Sequence, residues 1–176
     1  GNGGSSGLPG TGSITNSATL VFSRNNAVTV PNLIAGTGAL HHGAVNLLNP
    51  HVGSTLFLPN TNFYSGDTIV YGNGNLLAVG TDASLGTGRL VFNGNNNGNS
   101  VAGIRSANAF TRTIPNAMVF GSGGSVQFGT VGTGDLVFTG PTVTTDTADK
   151  TLLVSNSLTT IYSSIRNNSR LIKDGP

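Results

Sequence analysis

The chain has 176 residues, enough for one domain with a real core, and it contains no cysteine, tryptophan or glutamate. Eight Lys or Arg against six Asp leave a net charge of +2, with roughly a third of the charged side chains of an average domain. These numbers exclude a disulfide scaffold, and they argue against helices: good helix formers are scarce, while glycine (27 residues) and β-branched side chains dominate.

Disorder is also disfavoured, because disordered chains are charge-rich and apolar-poor, the reverse of this one. The cations Arg24, Arg89, Arg105, Arg112, Lys150, Arg166, Arg170 and Lys173 are scattered, so no basic stripe points to nucleic acid. No run approaches the ~18 apolar residues of a transmembrane helix, and no amino-terminal signal peptide is visible. A first residue that is Gly rather than Met reads as a processed chain or a segment of a longer one.

In chain order, residues 1–12 (GNGGSSGLPGTG) are mostly Gly and Ser and are expected to be a loose arm or linker ahead of a folded domain at 13–176. Short apolar runs then alternate with Gly, Asn, Ser and Thr turns, which predicts strands. They fall at 19–22 (TLVF), 28–30 (VTV), 55–58 (TLFL), 68–71 (TIVY), 76–79 (LLAV), 89–92 (RLVF), 117–120 (AMVF), 125–128 (SVQF), 135–138 (DLVF), 152–154 (LLV) and 158–161 (LTTI).

The text repeats itself. Gly-Thr-Gly recurs at Gly10, Gly36, Gly86 and Gly132, and 86–92 (GTGRLVF) is nearly identical to 132–138 (GTGDLVF). These two copies lie two steps of about 23 apart, and Phe22 and Phe92 lie about three such steps apart. Short strands and frequent turns also suit a β-sandwich, but a fixed period of this length favours a stacked coil. The expected fold is all-β, a parallel β-solenoid (β-helix) of about seven coils, ~35 Å long at ~4.8 Å per coil. Leu20, Phe22, Leu56, Leu58, Leu90, Phe92, Val119, Leu136 and Phe138 are expected to stack as its core. Gly and Asn are expected at the corners, with Asn amides laddering along them.

Residues 53–58 (GSTLFL), 60–68 (NTNFYSGDT) and 76–80 (LLAVG) resemble the passenger-associated transport repeat of autotransporters, a Gly-Thr-Leu-x-Leu strand, an Asn-Thr-Tyr-x-Gly-x-Thr turn and a Gly-x-Leu-x-Val-Gly strand. Residues 104–140 resemble the segment that follows such repeats, and 171–176 (LIKDGP) resemble the entry of another. Two departures stand out: His41-His42 replace the usual Thr-Lys, and Tyr64-Ser65-Gly66-Asp67 replace Tyr-Thr-Gly-Gly. The resemblance implies a right-handed β-helix in a secreted or surface protein, and it carries no catalytic residues. It also implies that the repeat is cut off at the C-terminus. Either the chain continues in neighbouring repeats, or another copy completes the end, head to tail, by strand addition. Gly7, Leu8 and Pro9 in the arm and Leu171, Ile172 and Lys173 in the tail are the candidate assembly ends.

Other chemistry finds little support. Adjacent His41 and His42 point to opposite faces of a strand and do not readily share a metal with His51. Asp146 and Asp149 lack a calcium-loop pattern. Asp67 and Asp135, almost three periods apart, would share a face at ~14 Å, too far for a paired-carboxylate glycosidase. There is no nucleophile elbow and no phosphate loop, and the sequon Asn167-Asn168-Ser169 is expected by chance. No catalytic residue, cofactor or metal is therefore expected. The reading is a structural, extracellular or cell-surface solenoid whose partners are copies of itself or neighbouring repeats. The alternative is an adhesin-type passenger gripping a glycan or host protein, with 95–100 (NNNGNS) as the loop of interest.

Overall fold

A computed structural model of the chain describes residues 2–4 (backbone only), 9–43, 53–94, 101–122, 124–145, 147–165 and 170–176. The described residues contain strands and turns and no helix. The chain enters through β1 (Asn2–Gly4) and β2 (Ile14–Thr15). The first coil is β3 (Thr19–Arg24), β4 (Val28–Thr29) and β5 (Ile34–Gly36). The second is β6 (Ala39–His42), β7 (Thr55–Leu58) and β8 (Phe63–Tyr64). The third has β9 (Thr68–Tyr71) and β10 (Asn75–Val79), then a turn at 81–86 where a third strand would lie. Next come β11 (Leu90–Asn93), β12 (Val101–Ser106) and β13 (Arg112–Ile114), then β14 (Met118–Phe120), β15 (Ser125–Phe128) and β16 (Leu136–Phe138). The sixth coil is β17 (Thr142–Thr144), β18 (Lys150–Val154) and β19 (Thr159–Ile161), and β20 (Leu171–Asp174) follows it.

Every strand pairs in parallel with its counterparts one coil away. The result is a β-solenoid of about six turns, close to the seven expected. Its first face is the seven-stranded sheet β1-β3-β6-β9-β11-β14-β17, and its second is the seven-stranded sheet β4-β7-β10-β12-β15-β18-β20. The third face consists of two three-stranded sheets, β2-β5-β8 and β13-β16-β19, separated by the turn of the third coil. Most longer strands alternate inward and outward residues (β7 reads Thr55 out, Leu56 in, Phe57 out, Leu58 in), and the inward side chains, apolar except at positions such as His42, Thr68, Thr142 and Lys150, share one core. Phe92 on the first face, Phe128 on the second and Phe138 on the third link the faces through ring contacts, with centroids 6.0 and 5.3 Å apart.

The coils are unequal. On the first face Leu20 pairs with Leu40, Leu40 with Thr68, Thr68 with Leu90, Leu90 with Met118, and Met118 with Thr142. The step is shortest between Leu20 and Leu40, and longest between Leu40 and Thr68 and between Leu90 and Met118. A fixed step is therefore incorrect, and its main consequence fails. The like segments 86–92 and 132–138 do not stack, because β11 lies on the first face and β16 on the third.

Phe22, Leu56, Leu58, Leu90, Phe92, Leu136 and Phe138 are buried in the core as expected. Two residues of the expected core stack differ. Leu20, in the first full coil, is only partly buried. Val119 is the outward residue of β14, and Met118 and Phe120 on either side fill the core. The arm differs as well. β1 adds to the edge of β3, and the Asn32 amide donates to Gly10 O and Gly12 O, so the arm is tied to the first coil at both places.

Candidate functional surface

Among the described residues, many hydrogen-bonded polar side chains hold one coil to the next. Four Asp act alike. The carboxylates of Asp67, Asp82, Asp135 and Asp149 accept the backbone N–H of Arg89, Thr113, Leu158 and Arg170, each on the following coil, at 2.9 to 3.1 Å. Asp67 and Asp149 also receive the guanidinium of the same Arg, at 2.6 and 2.9 Å. The hydrogen bonds from Arg89 hold the Asp67 carboxyl below its usual range and raise the Arg89 guanidinium. Asp67 precedes a strand of the first face and Asp135 one of the third, so the two do not share a face as the fixed period implied.

The corner asparagines do related work, though not as an amide ladder. Buried Asn62 accepts the N–H of Ile34 from the coil before and donates to Ser84 O on the coil after, at 2.8 and 2.7 Å. Asn16, Asn116 and Asn156 likewise donate to backbone carbonyls one coil away. The orphan groups at a bend are backbone N–H and C=O, and a short amide matches both. Glycine fills the corners where even a methyl group would collide. A Cβ on Gly88 would lie 2.0 Å from Gly66 O, and one on Gly66 would lie 2.4 Å from Gly38 O.

The histidines separate as strand alternation requires. His41 faces outward, half-buried, with its ring edge-on to Tyr71 at 5.5 Å. His42 faces inward and is buried; its Nε2 donates to Ser54 O at 2.9 Å, and Nδ1 stands 3.4 Å from Phe22 O. Burial lowers the affinity of both imidazoles for a proton. His51 lies outside the described residues, as do Asp146, the sequon and the 95–100 loop. No group of three or more His, Asp or Glu able to hold a metal occurs among the described residues. No helix among them is long and apolar enough to cross a membrane.

Of the candidate assembly ends, Gly7 and Leu8 lie outside the described residues, and Pro9 precedes the first corner. Leu171, Ile172 and Lys173 form β20, the edge strand of the second face. Leu171 is 44% exposed, and Lys173 stacks on inward-facing Leu152 with its ammonium on the carbonyls of Gly175 and Pro176. The tail residues are thus brought to one sheet edge.

The three faces present different outer surfaces. The second face carries Arg105, whose guanidinium lies 4.8 Å over the Phe57 ring two strands away, together with Gln127. The third displays Phe63, Phe110 and, at its edge, Tyr162, which are 62 to 73% exposed. The first carries one outward column of six stacked residues, Val21, His41, Ile69, Val91, Val119 and Val143. Sequence reading missed this column. Its signal was the middle residue of the short runs (LVF, LHH, TIV, LVF, MVF, TVT), apolar in all but LHH where an exposed strand face usually alternates to polar.

Comparison of the chain with family models, curated proteins and solved structures returned no match.

Proposed function

We propose that this chain is a structural β-solenoid segment or subunit of an extracellular or cell-surface fibre, as its likeness to autotransporter repeats implies. The observation that carries the reading is the use of polar side chains. Asp67, Asp82, Asp135 and Asp149 all bond forward to the next coil, and Asn16, Asn62, Asn116 and Asn156 bridge coils from within. Such a chain gains length and stiffness from every added coil, since each coil contacts only its neighbours. The parallel sheets accept a further coil from adjoining repeats or from another copy, head to tail, with β20 as the donor edge.

Electron microscopy of the purified chain near neutral pH, without ligand, tests the end-to-end part. Thin filaments with a stacked-coil repeat are expected, and they should be lost on deleting 171–176. Dispersed short rods would leave a rod segment that does not self-assemble.

The exposed rings of Phe63, Phe110 and Tyr162 favour a second reading, an adhesin passenger that stacks a glycan or host protein on its third face. Binding to a glycan array or host-cell surface that falls when Phe110 and Tyr162 are replaced by Ala would support it. Undiminished binding would remove it.

A further inference from the structure

We propose that the first face is a self-association surface, on which two copies pack side by side with their solenoid axes antiparallel. This is lateral pairing, separate from any end-to-end assembly.

The outward column Val21, His41, Ile69, Val91, Val119 and Val143 is a row of five β-branched apolar side chains and one imidazole, of which all but Val119 reach solvent. Val21 and Val143 at its ends are 44% and 50% exposed, the middle residues are partly exposed, and Val119 is already covered at 5%. The neighbouring positions two residues before it are Thr19, Ala39, Ala117 and Pro141, small or flat, with the ion pair Asp67–Arg89 in the middle of that row; Tyr71 and Asn93 lie on the other side. No charge interrupts the column itself. Stacked rows of β-branched side chains on an untwisted face can interdigitate with a copy of themselves and exclude water.

Charge chooses the arrangement. The ion pair beside the column, Asp67 with Arg89, sits on the third and fourth coils of the six, level with Ile69 and Val91. A two-fold axis parallel to the strands, through the middle of the column, reverses the order of the coils and keeps each outward column facing its own copy. It sets Ile69 against Val91 of the second copy and Val21 against Val143. It also sets Asp67 against Arg89 of the second copy, and Arg89 against Asp67. The alternative axis, along the solenoid, sets Asp67 against Tyr71 and Arg89 against Asn93, with no opposite charge to meet. The Arg89 and Asp67 side chains, 60% and 25% exposed, are accessible to the second copy.

The area is sufficient for a reversible dimer. About five residues of width at ~3.3 Å and seven strands at ~4.8 Å give on the order of 500 Å² per copy, hence ~1,000 Å² in total, the lower bound of specific interfaces. The other faces fit less well, because the second carries Arg105 and Gln127 and the third is broken at the third coil.

The test is sedimentation velocity across a wide range of protein concentration, on the whole chain. The unaltered chain should show a monomer–dimer equilibrium. Val91→Lys, at the centre of the face, should weaken it by more than about tenfold. Val143→Lys, at the more exposed end, should do the same and covers the case in which the central variant disturbs folding. Asp67→Arg should also weaken the dimer, and the double change Asp67→Arg with Arg89→Asp should restore it. A chain that stays monomeric at every concentration, or a dimer that both lysine variants leave intact, overturns the proposal. A dimer unaffected by Asp67→Arg overturns its antiparallel arrangement. End-to-end filaments in the micrographs would persist in Val91→Lys, so failure of one assembly mode is distinguishable from failure of the other.

Discussion

Segments 86–92 and 132–138 differ at one residue in seven and build the same local unit on two different faces. Each opens on a glycine in the left-handed region, Gly86 at φ 59° and Gly132 at φ 80°, and turns a corner. Each then sends Leu and Phe inward and Val outward: Leu90, Val91 and Phe92 in one, Leu136, Val137 and Phe138 in the other. Their neighbours differ. β11 stacks between β9 and β14 on the first face, and β16 stacks between β13 and β19 on the third. The one substituted position follows that difference. Arg89 reaches back to Asp67 on the preceding coil, whereas Asp135 reaches forward to the N–H of Leu158 on the next. Local text here specifies a corner and a strand. The number of residues between corners specifies the face.

If the two units are equivalent in packing, Phe92→Ala and Phe138→Ala should each cost about 3–5 kcal/mol in urea unfolding, because both rings are fully buried. A much smaller loss at Phe138 would show that the third face is loosely packed. The corner glycines separate the units. Gly86→Ala adds a Cβ 2.1 Å from Tyr64 O, while one on Gly132 meets nothing within 4 Å. Gly132→Ala should therefore cost only the ~1–2 kcal/mol of a left-handed L-residue, and Gly86→Ala clearly more. Equal losses would contradict the stacking of Gly86 on Tyr64.

A smaller effect is expected from acid. His42 is buried neutral, so its folded-state proton affinity is lowered while the unfolded chain keeps the ordinary value of 6.5. Stability should hold above that value and fall as pH drops below it. His42→Gln, which keeps a donor for Ser54 O, should flatten this dependence; an unchanged slope would place its origin elsewhere. Asp67 is lowered too, so its contribution is present above about pH 4 and is lost in stronger acid. The smallest effects belong to the exposed couplings. Asp67→Ala and Asp135→Ala should each cost about 1 kcal/mol or less by thermal unfolding, with salt weakening only the first, which holds an ion pair.

The coil architecture was legible in the sequence because like segments recur at multiples of a ~20–30-residue step, which a stacked coil needs and a sandwich does not. The face of each strand was not legible. Coil length is set by the segments between strands, and averaging over unequal steps put Phe92 and Phe138 in one column. The same error of phase made Val119 a core residue in place of Met118 and Phe120, since one residue of slip turns a strand inside out. The break in the third face was hidden because Asp82 replaces a strand contact with a side-chain acceptor for Thr113 N. The buried role of His42 was hidden because the carbonyls that receive it come from the preceding coil and from across the corner. The forward-bonding aspartates left a faint signal, an Asp followed one coil later by Arg in the pairs Asp67–Arg89 and Asp149–Arg170.

The chain has no cysteine, so engineered pairs report stacking directly. Val91 and Val119 are adjacent outward residues of β11 and β14, about 4.8 Å apart across a parallel ladder and within disulfide reach. Under mild oxidation the pair Val91→Cys with Val119→Cys should form an intramolecular crosslink, read by mass spectrometry. The pair Val91→Cys with Val137→Cys, which joins the two like segments, should stay reduced. A crosslink in the second pair and none in the first would place the like segments side by side on one face and contradict the coil register described above.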